Sequence, residues 1–214
     1  MEVNKNMNYP DNIAADRTRF TDYSFVRPRL FLRLINPKTN PKVILDSPFK
    51  PFLDLVIVYH ILIENTDESV CSVRIDNTLF EAYDITLEDL HEDALKSSLK
   101  LFPASVFPII PPDEQSATEN TIFCVTNKDG IFGSSSIVYP DVLSRLSRKL
   151  RSNLYIIPSS TDECIVVSVR EEISPEKMKS ILHEVNDTML RPEQYLNNHL
   201  YYYDRKSDQV MAML

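Results

Sequence analysis

Residues 52–63 read FLDLVIVYHILI. Apart from Asp54 and His60 the stretch is apolar, and it is rich in the β-branched and aromatic residues that suit strands. An apolar run with no polar alternation is the pattern of a strand covered on both faces, so a central strand is expected here. The longest apolar part, residues 55–63 including His60, is about half of the roughly 20 residues a membrane-spanning helix needs.

The flanks build a sheet around that strand. Residues 29–35, RLFLRLI, follow Pro28 and read as a second strand, and residues 70–75 alternate like a third after turn residues at 65–69. Thr86 begins a helix, with Asp89 as its capping-box partner. Leu87, Leu90, Ala94 and Leu101 fall at helical spacing, which leaves Glu88, Glu92 and Lys96 to solvent. Pro103, Pro108, Pro111 and Pro112 end this part, and the polar run DEQSATENT at 113–121 reads as a linker.

The second half has its own rhythm. Residues 122–126 and 131–138 predict a hairpin around Asn127, Lys128, Asp129 and Gly130. Pro140 suits the first turn of a helix bearing Val142, Leu143, Leu146 and Leu150. Two more strands, 154–157 and 164–169, flank a turn at 158–163. Ser174 and Pro175 open a further helix whose face is Met178, Ile181, Leu182, Val185 and Met189. A closing hairpin, 199–204 with 209–211, follows. Strand pairs interrupted by single helices predict an α+β fold, with antiparallel or mixed sheets and three main helices packed on them. The expected organisation is a loose arm at 1–20, an N-terminal lobe at 21–112, the linker at 113–121 and a C-terminal lobe at 122–214.

Composition excludes several functions. The formal charge of −8, from 31 acidic and 23 basic side chains, argues against general nucleic-acid binding, which needs a basic face. Gly130 and Gly133 are the only glycines, so no phosphate loop, dinucleotide fingerprint or nucleophile elbow can be built. Cys71, Cys124 and Cys164 are an odd number with no CxxC, which predicts free thiols, no structural metal site and a reducing, cytoplasmic setting. The polar N-terminus has no apolar export signal. No cofactor and no membrane association are expected.

Several stretches together carry a family resemblance: FTDYSFVRPRLFLRLIN, PFLDLVIVYHILI, YDITLEDLHEDAL, VTNKDGIFGSSSIVYPDVL, LYIIPSSTDECIVV, HEVNDTML and LYYYDR. In consistent order across residues 20–205, they resemble the Domain of Unknown Function 5688 family of bacterial intracellular proteins. The resemblance implies a bacterial cytoplasmic protein and brings no catalytic residues with it. It also implies a further segment ahead of Phe20, where this chain has a short polar arm. Where the family often has His-Glu after its PSS turn, this chain has Asp162-Glu163, so a histidine base at that turn is lost.

The candidate catalytic residues are Ser159, Ser160, Asp162 and Glu163, since hydroxyls beside carboxylates can serve nucleophilic chemistry. The same composition is also sound turn chemistry that needs no ligand. His60, His91, His183 and His199 show no metal-ligand spacing, and His60 reads as a satisfied core histidine. Candidate binding residues are Phe31 on the RLFLRLI strand, Tyr201 and Tyr203 as alternating rings, and the basic cluster Arg145, Arg148 and Lys149. The last also suits a helix C-terminus with no partner at all. The expected function is a non-catalytic binding or regulatory module acting through protein contacts, by self-association or docking at the strand carrying Phe31. The alternative is a small hydrolase or transferase with its nucleophile in the 159–163 turn.

Overall fold

The 52–63 run folds as the turn and second arm of a hairpin, because a charged residue interrupts it at Asp54. Strand β2, Phe49–Phe52, reverses through Leu53 and Asp54 into β3, Leu55–Asn65. Leu53 has a φ of 56°, a left-handed conformation uncommon for a bulky side chain. β3 is the central strand that its apolar pattern predicts, buried from Leu55 through Ile61. It pairs antiparallel with β1, Leu30–Ile35, on one side. On the other it pairs with β2 and, further along, with β4, Val70–Arg74. The structure, a computed structural model, describes residues 17–66, 69–109, 122–169, 194–197 and 199–213. The 113–121 run and the helix expected from Ser174 lie outside the described residues.

A second sheet has six strands: β5 Ala104–Pro108, β6 Ile122–Asn127, β7 Leu154–Ile157, β8 Cys164–Ser168, β9 Leu200–Asp204 and β10 Gln209–Met213. Their order is β10-β9-β7-β8-β6-β5, antiparallel at every step. With helices Leu87–Leu101 and Val142–Leu150 beside these sheets, the architecture is α+β. The Leu87–Leu101 helix starts at the predicted capping box, with Thr86 and Asp89 bonded reciprocally.

One predicted element is corrected. Residues 131–138 do not pair with β6. Gly133–Val138 instead forms a 3-10 helix, and β6 pairs with β5 and β8. The hydroxyls explain it, because serine side chains that bond nearby backbone compete with a strand ladder. Ser134 Oγ donates to the Thr161 carbonyl at 2.8 Å, and Ser135 Oγ accepts from the Leu34 amide at 3.1 Å. Gly133 is sterically required: a Cβ there would lie 2.1 Å from Thr126 Oγ1 and 2.5 Å from the Asp162 carbonyl oxygen.

Strand β1 is an edge strand, yet its edge is covered. The Leu32 amide donates to Ser98 Oγ at 3.0 Å, the Leu34 amide donates to Ser135, and Ser97 Oγ donates to the Leu30 carbonyl. Phe31 is 1% exposed, packed among His60, Phe102 and Phe132. The expectation of an open strand offering Phe31 to a partner is therefore overturned, because serines of the long helix and the 3-10 helix occupy the ladder positions.

One face of each sheet contributes to a shared cluster. Leu32, Leu55, Ile57 and Leu90 lie in it together with Val125, Leu143, Leu146 and Tyr201. Of the positions read as core from periodicity, Leu55, Ile57, Leu90, Leu143 and Leu146 are buried; Ile181 and Val185 lie outside the described residues. Two smaller clusters occupy the opposite faces, around Ile35 and Val58 on the first sheet and around Tyr155 and Ile157 on the second.

Candidate functional site

The turn that breaks the 52–63 run also builds a polar cluster that joins distant parts of the chain. Asp54 projects from the β2–β3 turn towards the segment that leads into β9. Its Oδ1 accepts from the Tyr201 hydroxyl at 2.5 Å, and Asn197 Nδ2 reaches both carboxylate oxygens at 3.0 and 3.1 Å. The third partner is His199, whose Nδ1 bonds Oδ2. The Asn197 side-chain oxygen in turn accepts the His199 amide at 3.0 Å, which fixes the residues on either side of Asn198. Alternation along β9 places Tyr201 and Tyr203 on the core face, where Phe52 meets Tyr201 edge-on at 6.5 Å. Burial, and then the Asp54 carboxylate it donates to, hold the Tyr201 phenol well above its ordinary range. Tyr201 thus stays a neutral donor.

Chemically, a carboxylate bound to Nδ1 sets the tautomer and orientation of an imidazole and leaves Nε2 as the outward nitrogen. The His199 side chain is 39% exposed, so that nitrogen can meet solvent. Asp54, itself partly exposed, is the anchor, and His199 is the more accessible member of the pair.

A cleft of about 560 Å³ opens beside this cluster, on the far side of Phe52 and Leu53. Lys50 and Pro51 of β2 form one wall, Gln209 and Val210 of β10 another, and Tyr139, Leu143 and Ser144 the floor. Its polar groups are mostly engaged with one another or with neighbours. Lys50 pairs with Glu88 at 2.6 Å, Tyr203 donates to Asp208 at 2.5 Å, and His91 Nδ1 meets the Tyr59 hydroxyl at 3.2 Å. Burial, and then Lys50, depress the His91 pKa.

A family model described as a family of unknown function, DUF5688, matches residues 2–205. The chain belongs to that family. The match begins at residue 2 and so takes in the stretch read as a loose arm ahead of Phe20. No curated protein and no solved structure matches this DUF5688 chain.

The residues singled out in the DUF5688 sequence divide sharply. Those of the 158–163 turn are brought together, the serines bonding within the turn and the two carboxylates bonding residues outside it. Ser159 Oγ donates to the Glu163 carbonyl at 3.1 Å, and Ser160 Oγ accepts from the Asp162 and Glu163 amides. Asp162 accepts from the Phe132 amide and from Gln194 Nε2, each at 2.9 Å. Ser159 and Ser160 are buried. The Cys124 thiol donates to the Glu163 carboxylate, and burial followed by that contact pushes it up to about 12. Such a thiol is protonated and inert.

Tyr201 and Tyr203 face inward, leaving Tyr202 half-buried on the other face. Arg145, Arg148 and Lys149 are exposed on the Val142–Leu150 helix. Arg148 Nε donates to the Ser144 carbonyl at 3.2 Å, and Lys149 lies 5.5 Å from the Phe123 ring. All three cysteines are free, and Cys124 and Cys164 share the second sheet. They occupy adjacent strands β6 and β8 on opposite sheet faces, since Cys164 opposes Val125. His60 bonds Ser72 within the fold, and no described helix is long and apolar enough to cross a membrane. His183 lies outside the described residues.

Sequence reading missed Asp54, Asn197 and His199 as a group. The one local signal was a lone acid within an apolar run.

Proposed function

We propose that the protein is a non-catalytic binding module that works inside the cell by protein contacts, seating an extended segment of a partner in the cleft between β2 and β10. The observation that carries this reading is the coincidence, at one concave surface, of two sheet edges that no described strand pairs with. An unpaired edge is a template for an added strand, whose backbone supplies affinity while pockets read alternate side chains. Pro51 blunts the β2 edge, whereas β10 has no proline and turns Val210 to the cleft. The partner strand therefore adds to β10 and lays side chains over the apolar floor. The cleft volume falls within the roughly 300–1,000 Å³ usual for binding sites.

Affinity capture from lysate of its own cells, with wild type and Val210→Lys side by side, tests the reading, since Val210 lies on the cleft face of β10. A partner retained by wild type and lost by the variant is expected. A partner held equally by both, or no specific partner, removes it.

The Asp54–His199 pair favours a second reading, in which His199 acts as a general base on water in a small hydrolase or transferase. Generic esters and phosphoesters turned over by wild type but not by His199→Gln would establish it. No turnover by wild type excludes it for those substrates.

A further inference from the structure

Arg33 projects from β1 onto the sheet face opposite the shared core, on the side that also carries Phe31, His60 and Arg74. Its Nε is sealed from solvent and has no hydrogen-bond partner among the described residues. No hydrogen bond or ion pair links its guanidinium to any described residue. Its guanidinium carbon lies 3.6 Å from the centroid of the Phe132 ring. Arg74, across the same face, is held by Asp46 at 3.2 Å, by the Val43 carbonyl and by Ser47. One arginine is fully occupied and the other is left open.

A buried cation without hydrogen bonds is costly, and a ring face offsets only part of that cost. Asp162 attracts Arg33 through space, but its oxygens already accept from Phe132 and Gln194. Phe132 itself sits at a φ of 55°, so its ring is held over Arg33 at some backbone strain. Burial lowers the Arg33 pKa only to about 10, and the charge persists at neutral pH. Residue 33 keeps partial exposure although Nε is sealed, so the Nη end is the part an incoming ion meets.

We propose that Arg33 is the recognition residue of an oxyanion site on the outer face of the first sheet, taking the phosphate or carboxylate group of a ligand on its unpartnered guanidinium above Phe132. The planar fork of arginine matches both groups in a bidentate fashion. This site is on a different face from the shared core, and it stands whether or not the cleft binds a partner.

The test is an arginine-selective 15N NMR titration of the full chain, with the Arg33 Nε–H signal assigned by its loss in Arg33→Lys. Inorganic phosphate and acetate are added in separate arms, with chloride holding ionic strength constant. A saturable shift of the Arg33 signal is expected in at least one arm, together with a rise of a few degrees in melting temperature that is absent in Arg33→Met. A response to phosphate alone assigns a phosphate-bearing ligand, and a response to acetate alone a carboxylate. Without added anion, Arg33→Met should melt no lower than wild type, because it removes an uncompensated buried charge. An Arg33 signal that moves in neither arm, or only linearly without saturation, overturns the proposal. So does an anion-independent loss of several degrees in Arg33→Met, which would make the guanidinium a structural partner of Asp162. If Arg33→Met does not fold, the wild-type titration decides alone.

Discussion

Two aspartates anchor two hubs, and they differ in how far their partners have travelled along the chain. Asp162 sits in a turn whose serines, threonine and glutamate bond mainly to one another and to the 3-10 helix at Gly133–Val138. Asp54 gathers Asn197, His199 and Tyr201 from more than 140 residues away. Polar groups contiguous in sequence satisfy themselves locally, and local satisfaction consumes the very lone pairs and protons that chemistry would use. The distant convergence leaves one imidazole nitrogen facing outward. The lesson is that sequence density of polar residues marks a turn, whereas a site is made by topology.

The largest effect should come from the first hub. Gly133→Ala drives a Cβ against the Asp162 carbonyl and the Asn127 amide, both backbone and unable to swing away. It should cost about 3 kcal/mol, a fall of roughly 6–12 °C in melting temperature. A variant melting within a degree of wild type would show that this hub is not tightly packed.

Asp54→Ala leaves three donors without their acceptor and should cost about 2 kcal/mol by urea denaturation. Tyr201→Phe should cost less, since Asn197 and His199 still hold the carboxylate. Equal costs would mean that the tyrosine, rather than the carboxylate, organises the hub.

A pH series reads the core histidine of β3, which belongs to neither hub. Burial, followed by the positive charges of Arg33 and Arg74, holds the His60 imidazole well below its ordinary 6.5. Between that depressed value and 6.5 the unfolded chain binds a proton that the folded chain does not. Stability should therefore decline as pH falls below about 6.5, and His60→Gln should flatten the decline. A slope that survives unchanged in His60→Gln would show that this histidine does not set it.

The smallest effect should follow Ser159→Ala, about 1 kcal/mol for one local hydrogen bond. A loss well above that would give this turn a role beyond bonding itself.

Much of the fold was legible. The apolar run around Val58, the Thr86 capping box and the 3.6-residue period of Leu143, Leu146 and Leu150 each state a local preference that the tertiary structure keeps. Residues 131–138 were misread because Ile131, Phe132, Ile137 and Val138 give a strand-like composition, while the outcome was set by serine hydroxyls finding Leu34 and Thr161. The covering of β1 was hidden for the same reason, as it depends on Ser97, Ser98 and Ser135 meeting a strand far upstream. Asp54 was visible as an oddity, but nothing local joins it to His199. Pairings across 145 residues carry no periodic signal.

The serines on β1 have a consequence for how the chain is made. Ser98 follows Leu32 by 66 residues, and Ser135 follows Leu34 by 101. During translation at roughly 5–20 residues per second, the second of these covers arrives about 5–20 s after its strand is polymerised. Through that interval β1 is a bare, oily ribbon on the ribosome, and the nascent chain is at its most adhesive before the Gly133–Val138 segment has emerged from the exit tunnel. Ribosomes stalled before the Gly133–Val138 segment has left the tunnel should therefore carry chains that recruit general chaperones, and full-length released chains should shed them.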